Sequence, residues 1–188
     1  MELNSEEDIV KAIQEDGWMM DILKAAEAAG LPDWWICAGF VRSKIWDVLH
    51  DIRERTPLPD IDVIYFDKEN TGEASEKEAE QLLGRLLPGV PWSVKNQARM
   101  AVRNGMPPYA SSIDAVSKFP ETATALAVTL DQGRLKLGAP WGVEDAVSGV
   151  VRPTSFFLEN EEKREIYRQR IIKKKWHLSW SGLCIQQI

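Results

Sequence analysis

Histidine and cysteine are scarce in this 188-residue chain, with two of each. His50 and His177 lie far apart and no Cys-x-x-Cys occurs, so a zinc site has no ligand set to draw on. Cys37 and Cys184 do not make a disulfide framework; both read as reduced thiols, Cys37 within an apolar run. No stretch of 18 apolar residues exists, which excludes a membrane-spanning helix. The first eight residues are acidic, without a basic segment or an apolar core behind it. No secretory leader is therefore expected, and a cytoplasmic location is. Positive charge is in deficit too, 23 Lys and Arg against 29 Asp and Glu, for a net charge of −6. That balance disfavours non-specific nucleic-acid binding and leaves room only for a local basic patch. No repeat or low-complexity tract is present. What is there, 44% hydrophobic and 28% charged residues, is the composition of an ordinary globular protein, and the length suits a single domain over 1–188.

The most informative stretch runs from Pro59 to Asp67. Ile61, Val63, Ile64, Tyr65 and Phe66 predict a strand, because β-branched and aromatic side chains suit a half-buried pleated surface. Asp60 and Asp62 stand at its entrance. Residues i and i+2 share a strand face, which puts these carboxylates roughly 7 Å apart. Like charges held that close repel unless a cation sits between them, and a hard divalent ion such as Mg²⁺ prefers oxygen ligands. The plainer alternative is a solvated turn, since Pro and Asp both favour turns. Upstream, Trp34 to Ala38 predicts a short buried strand, followed by Gly39 and a helix from Phe40 to His50 with Val41, Ile45, Val48 and Leu49 at helical spacing. Arg42 and Lys44 fall in its first turns. A helix start offers unpaired N–H groups to an anion, and Gly39 lets a phosphate approach the backbone. A phosphate site beside a paired-carboxylate metal site is the apparatus of phosphoryl or nucleotidyl transfer.

The remaining pattern supplies the frame. Residues 5–30 read as helical, broken near Gly17 and stopped at Gly30. A helix from about Ser75 to Leu87, a strand from Pro91 to Asn96 and a short helix ending at Gly105 follow. Lys95, Arg99 and Arg103 form a cationic series that suits either a solvated face or a triphosphate contact. Ser111 caps a short helix with Asp114 in its first turn. Ala125–Leu130 and Leu135–Pro140 form a hairpin around Asp131–Arg134. Asp67 reads as a turn residue at the strand end. Glu161 to Lys175 is a helix capped by Asn160, with acids first and Arg168, Arg170, Lys173, Lys174 and Lys175 last. That order matches the helix dipole, and the same cations are also the footprint of phosphate contact. Three segments result: N-terminal helices (1–32), a catalytic-type core (33–150), and a C-terminal helix and tail (151–188).

The Gly-turn helix followed by Asp-x-Asp resembles the polymerase-beta-type nucleotidyltransferase superfamily. The ordered blocks Cys37–Asp47, Pro59–Asp67, Trp92–Met100, Pro120–Ala125 and Trp176–Leu178 resemble a bacterial branch of it, over about Ile22 to Leu183. The resemblance implies an α/β (α+β) fold, a small mixed sheet flanked by helices with N- and C-terminal helical extensions. It implies Mg²⁺ held by Asp60 and Asp62, and transfer of a nucleoside monophosphate from a nucleoside triphosphate to an acceptor hydroxyl. Gly39, Phe40, Arg42, Lys44, Asn96 and Arg99 are then the expected nucleotide contacts. The chain departs from the superfamily pattern in three ways. Gly39 is followed by Phe40 instead of a small residue, and the gap from Gly39 to Asp60 is long. The neighbouring strand offers Asn96 where a third carboxylate is usual. Three alternatives follow: Asn96 replaces it as a neutral ligand, Asp114 or Glu121 brings an acid from elsewhere, or the fold binds a nucleotide or protein without chemistry.

Overall fold

The computed structural model describes residues 2–188. Two helices open the chain, α1 (Glu6–Gln14) and α2 (Gly17–Ala28). The break between them falls just before Gly17. Asp16 is extended (φ −95°, ψ 97°), and its carboxylate accepts from the Met19 amide at 3.2 Å, starting the second helix. The same carboxylate also takes Lys44 at 2.9 Å and Arg55 at 2.9 Å, so one side chain caps α2 and ties it to two later segments.

The core elements follow in order: β1 (Trp35–Cys37), α3 (Gly39–Leu49), β2 (Ile61–Tyr65), α4 (Glu73–Leu86), β3 (Trp92–Asn96), α5 (Gln97–Arg103), α6 (Ser112–Val116), β4 (Ala127–Asp131), β5 (Arg134–Gly138) and α7 (Glu144–Val147). The chain ends with β6 (Val150–Val151), α8 (Ser155–Leu158), α9 (Glu161–Lys174) and β7 (Cys184–Ile185). The sheet order is β3-β2-β1-β4-β5, mixed as the sequence predicts. β2 and β3 are parallel, joined through α4, while β1 runs antiparallel to both β2 and β4. One end of the sheet therefore gathers the exit of β1 and the entrances of β2, β3 and β4. Register fixes the neighbours there: Ile36 opposite Val63, Cys37 opposite Ala127, Asp62 opposite Ser93.

The two sheet faces differ. Ile61, Val63 and Tyr65 point into the main core with Ile22, Leu23 and Leu83, each such side chain contributing about 1.5–3 kcal/mol by leaving water. Ile64 lies on the other face with Cys37, Val116, Ala125 and Ala127, under a small lid that α6 and Phe119 supply. Alternation puts Asp62 on the Ile64 face, at the end this small cluster leaves uncovered. No helix among the described residues is long and apolar enough to cross a membrane.

Asp16→Ala removes a helix cap and the partner of two cations together. A loss of about 1–2 kcal/mol is expected, read as a lower urea midpoint at unchanged slope.

Candidate active site

At the gathered end of the sheet lies a cleft lined by Ala38 and Gly39 from the β1–α3 turn, Arg42 from α3, Leu58 to Asp60 and Asp62 from the β2 entrance, and Arg170 and Lys174 from α9. The turn is tight: Ala38 has φ 54° and ψ −114°, a left-handed conformation that a non-glycine residue adopts at a cost. Its amide is held by the Leu126 carbonyl at 2.9 Å. The first amides of α3, at Gly39 and Phe40, have no acceptor within the helix, and Gly39 lines the cleft.

Asp60 is exposed and Asp62 half-buried. Burial, reinforced by the Asp60 charge, raises the Asp62 carboxyl above its ordinary value of 3.8, against a hydrogen bond from Ser93 and the charges of Lys174 and Arg170. Burial together with the same two acids pushes the neighbouring Cys37 thiol well up. Across the cleft, loss of water around its ammonium lowers Lys174, helped by Arg170 and Arg42 and opposed by Asp60 and Glu121. Two carboxylates thus face three cations with few direct contacts between the groups. Such a donor set fits a hard cation: Mg²⁺ is commonly bound through one or two carboxylates, its remaining positions filled by water and phosphate oxygens.

The residues expected from the sequence separate cleanly. Asp60, Asp62, Gly39 and Arg42 come together. Phe40 contributes its backbone to the turn, while its ring is buried against Trp18, 6.0 Å between centroids. Lys44 turns away to Asp16. Asn96 sits at the far end of β3, roughly 10 Å along the strand from the register of Asp62. There its amide oxygen accepts from Asp67 N at 3.1 Å and Ala98 N at 3.1 Å, and its nitrogen donates to the carbonyls of Asp67 and Asn70. All its capacity is spent on capping α5 and pinning a turn. Arg99 forms a two-pronged pair with the buried Glu76, at 2.9 and 2.6 Å. Asp67 accepts from the amides of Glu69 and Asn70, as a turn residue does, and Asp114 pairs with Lys118 at 2.7 Å. Glu121 comes near the cleft without lining it. Fully buried, it accepts from Arg170 Nε at 2.6 Å and from Thr124 Oγ1 at 2.6 Å. Among the described residues no group of three His, Cys, Asp or Glu is placed to hold a metal.

Sequence reasoning undervalued Arg170 and Lys174, whose dipole explanation seemed complete, and it did not single out Ser93. The available signal was their i, i+4 spacing with the buried Tyr167 and Ile171 interleaved, which turns one cationic face of α9 inward.

A nucleotidyltransferase family model matches residues 24–185. The chain belongs to this nucleotidyltransferase family. A protein solved by NMR and described as revealing a CCA-adding enzyme head domain superposes with a TM-score of 0.87 at 36% identity, over 99% of this chain and 98% of its own. A CCA-adding enzyme in complex with CTP shares the fold at 17% identity and a TM-score of 0.53; the Thermotoga maritima enzyme complexed with tRNA does so at 17% and 0.54. This chain is covered to 95% in both comparisons and spans 42% of the length of those two enzymes. No curated protein matches the chain. In this chain Asp62 of β2 and Asp60 just before it line the same cleft as the turn and the cations.

Two outcomes follow from the electrostatics. Cys37 is 2% exposed and its thiol is raised, whereas Cys184 is exposed, so a thiol reagent should modify one equivalent in the native protein and two after denaturation. Because the folded Asp62 carboxyl lies above 3.8, the folded chain binds that proton more tightly and stability falls as pH rises through this window. Asp62→Asn should therefore melt higher than wild type at pH 7, with the difference vanishing below pH 3.8.

Proposed function

We propose that the protein transfers a nucleoside monophosphate from a nucleoside triphosphate to an acceptor hydroxyl, with Mg²⁺ and with release of pyrophosphate. The observation that carries this reading is the meeting of Asp60 and Asp62 with Gly39, Arg42, Arg170 and Lys174 in one cleft of a nucleotidyltransferase fold. In the transfer, the acceptor oxygen bonds to the α-phosphorus as the bond to the bridging oxygen of the β-phosphate breaks, and the hydroxyl proton is released. Asp60 and Asp62 would hold the ion, which supplies neutralisation of the triphosphate and a lowered pKa for the attacking oxygen. The first amides of α3 orient phosphate oxygens without carrying a full charge. Arg42, Arg170 and Lys174 stabilise negative charge as it accumulates on the departing pyrophosphate. A cleft of about 140 Å³ is smaller than a typical ligand pocket, so it accommodates the phosphates and leaves base and sugar outside.

The acceptor approaches past the basic end of α9, where Lys173 and Lys175 are exposed beside Lys174. More distant structural relatives have been captured with CTP, ATP and tRNA, which makes mixed nucleoside triphosphates and RNA the first panel to try. We place the reaction in the cytoplasm, where reduced thiols persist. A second reading, nucleotide or protein binding without transfer, is favoured by one observation: among the described residues no third acid joins Asp60 and Asp62.

Pyrophosphate release separates the two. Under the transfer reading, Mg²⁺, triphosphates and acceptor yield pyrophosphate, and Asp62→Asn lowers turnover by roughly a hundredfold or more with the fold retained. Unchanged turnover in that variant removes the metal assignment. Nucleotide binding with no pyrophosphate from any acceptor favours the second reading.

A further inference from the structure

The guanidinium of Arg42 is surrounded by tryptophan. Its Cζ lies 5.1 Å from the ring centre of Trp46, 5.0 Å from Trp176 and 5.7 Å from Trp180. Trp46 comes from the same helix, but Trp176 and Trp180 come from the segment after α9, more than 130 residues later. The rings brace one another edge to face, with centroids 5.6 and 5.1 Å apart. Two are also tied by their indole N–H groups, Trp46 to the Ala146 carbonyl at 3.2 Å and Trp180 to Asp47 at 2.9 Å.

A buried cation ordinarily acquires a carboxylate, because an uncompensated charge away from water is costly. Arg42 is 7% exposed, yet among the described residues no carboxylate pairs with it. The nearby acids are committed elsewhere, Glu121 to Arg170 and Thr124, and Asp47 to Thr56 and Trp180. Only Nη2 donates, to Ser43 Oγ at 3.2 Å, while Nε has no partner. Aromatic faces attract a cation without accepting its N–H groups along the guanidinium edge. A carboxylate would consume both charge and donors. The box therefore fixes the arginine and leaves it available. It also fixes where: a Cβ built on Gly39 would stand 3.6 Å from Nη2, so the guanidinium abuts the turn. Burial draws Arg42 down to about 10, which keeps it protonated at neutral pH.

We propose that Trp176 and Trp180 are positioning residues that hold Arg42 in the cleft as an unpaired cation reserved for a substrate phosphate. This rests on the reading that the cleft takes a triphosphate. It adds a division of labour between the arginines: Arg170 is set by the Glu121 carboxylate, Arg42 by ring faces. Trp176 touches both, at 5.9 Å from Arg170, and is the sharper probe.

The test is calorimetric titration with inorganic tripolyphosphate of wild type, Trp176→Phe and Trp176→Leu. Wild type should bind. Trp176→Phe, which keeps an aromatic face, should stay within about threefold, and Trp176→Leu should weaken by about tenfold. Equal binding by wild type and Trp176→Leu overturns the positioning role alone, whereas no binding by wild type overturns the triphosphate reading beneath it. Should Trp176→Leu fail to fold, the Arg42 Nε–H resonance of wild type, assigned by its loss in Arg42→Lys, decides the matter. It should shift on saturation with tripolyphosphate, and a bound state in which it does not move overturns the proposal.

Discussion

Repulsion between two carboxylates on one strand face is the constraint around which this cleft is organised. Asp62 is in β2 and Asp60 stands directly before it, and β2 lies inside the sheet, with β1 and β3 on either side. The acids are therefore kept apart from other acids and given cations instead. Arg170 and Lys174 are carried to them on a helix from much later in the chain, and Glu121, a further acid nearby, is buried and occupied by Arg170. Burial and the two acids together disfavour the Cys37 thiolate.

Cations elsewhere in the molecule are treated differently. Lys44 and Arg99 each meet a carboxylate that is itself engaged with backbone amides, Asp16 capping α2 and Glu76 accepting from Asn96 N at 2.8 Å. Those pairs weld elements together and are finished structures. In the cleft Arg170 has such a partner in Glu121, whereas Lys174 and Arg42 have no carboxylate paired with them among the described residues. The contrast between satisfied and unsatisfied charge marks the functional region more sharply than the distribution of Lys and Arg in the chain does.

Much of this was legible in the sequence, because local rules carried it. The helical spacing of Val41, Ile45 and Val48, the alternation through Ile61 and Val63, and the caps at Ser111 and Asn160 each depend on residues within a few positions, and each element forms. The Asp-x-Asp strand and the preceding turn were recognisable for the same reason. Side chains whose partners lie far away in sequence were not. Nothing near Lys44 points to Asp16, and nothing near Asn96 reveals that the chain returns at Asp67 and Asn70 to take up its amide. Arg170 and Lys174 had a sufficient local explanation in the helix dipole, which hid their tertiary one. Nothing in the sequence around Trp46, Trp176 and Trp180 points to Arg42, and only the fold shows what these buried rings enclose.

The box around Arg42 also sets a timetable. As the chain leaves the ribosome, the acids, the turn and Arg42 emerge within the first third of its length, and the five sheet strands are complete by Gly138. The cations of α9 and the two late tryptophans come last, a few seconds afterwards at ordinary rates of synthesis. Until then Arg42 has one indole beside it instead of three, and the acids face no counter-charge. A nascent chain that has reached Gly138 can thus possess the sheet and both aspartates and still lack the cations and rings that the proposed phosphate site requires. On the proposed reading the cleft is completed by the segment from Glu161 to Trp180 and not by the sheet strands alone.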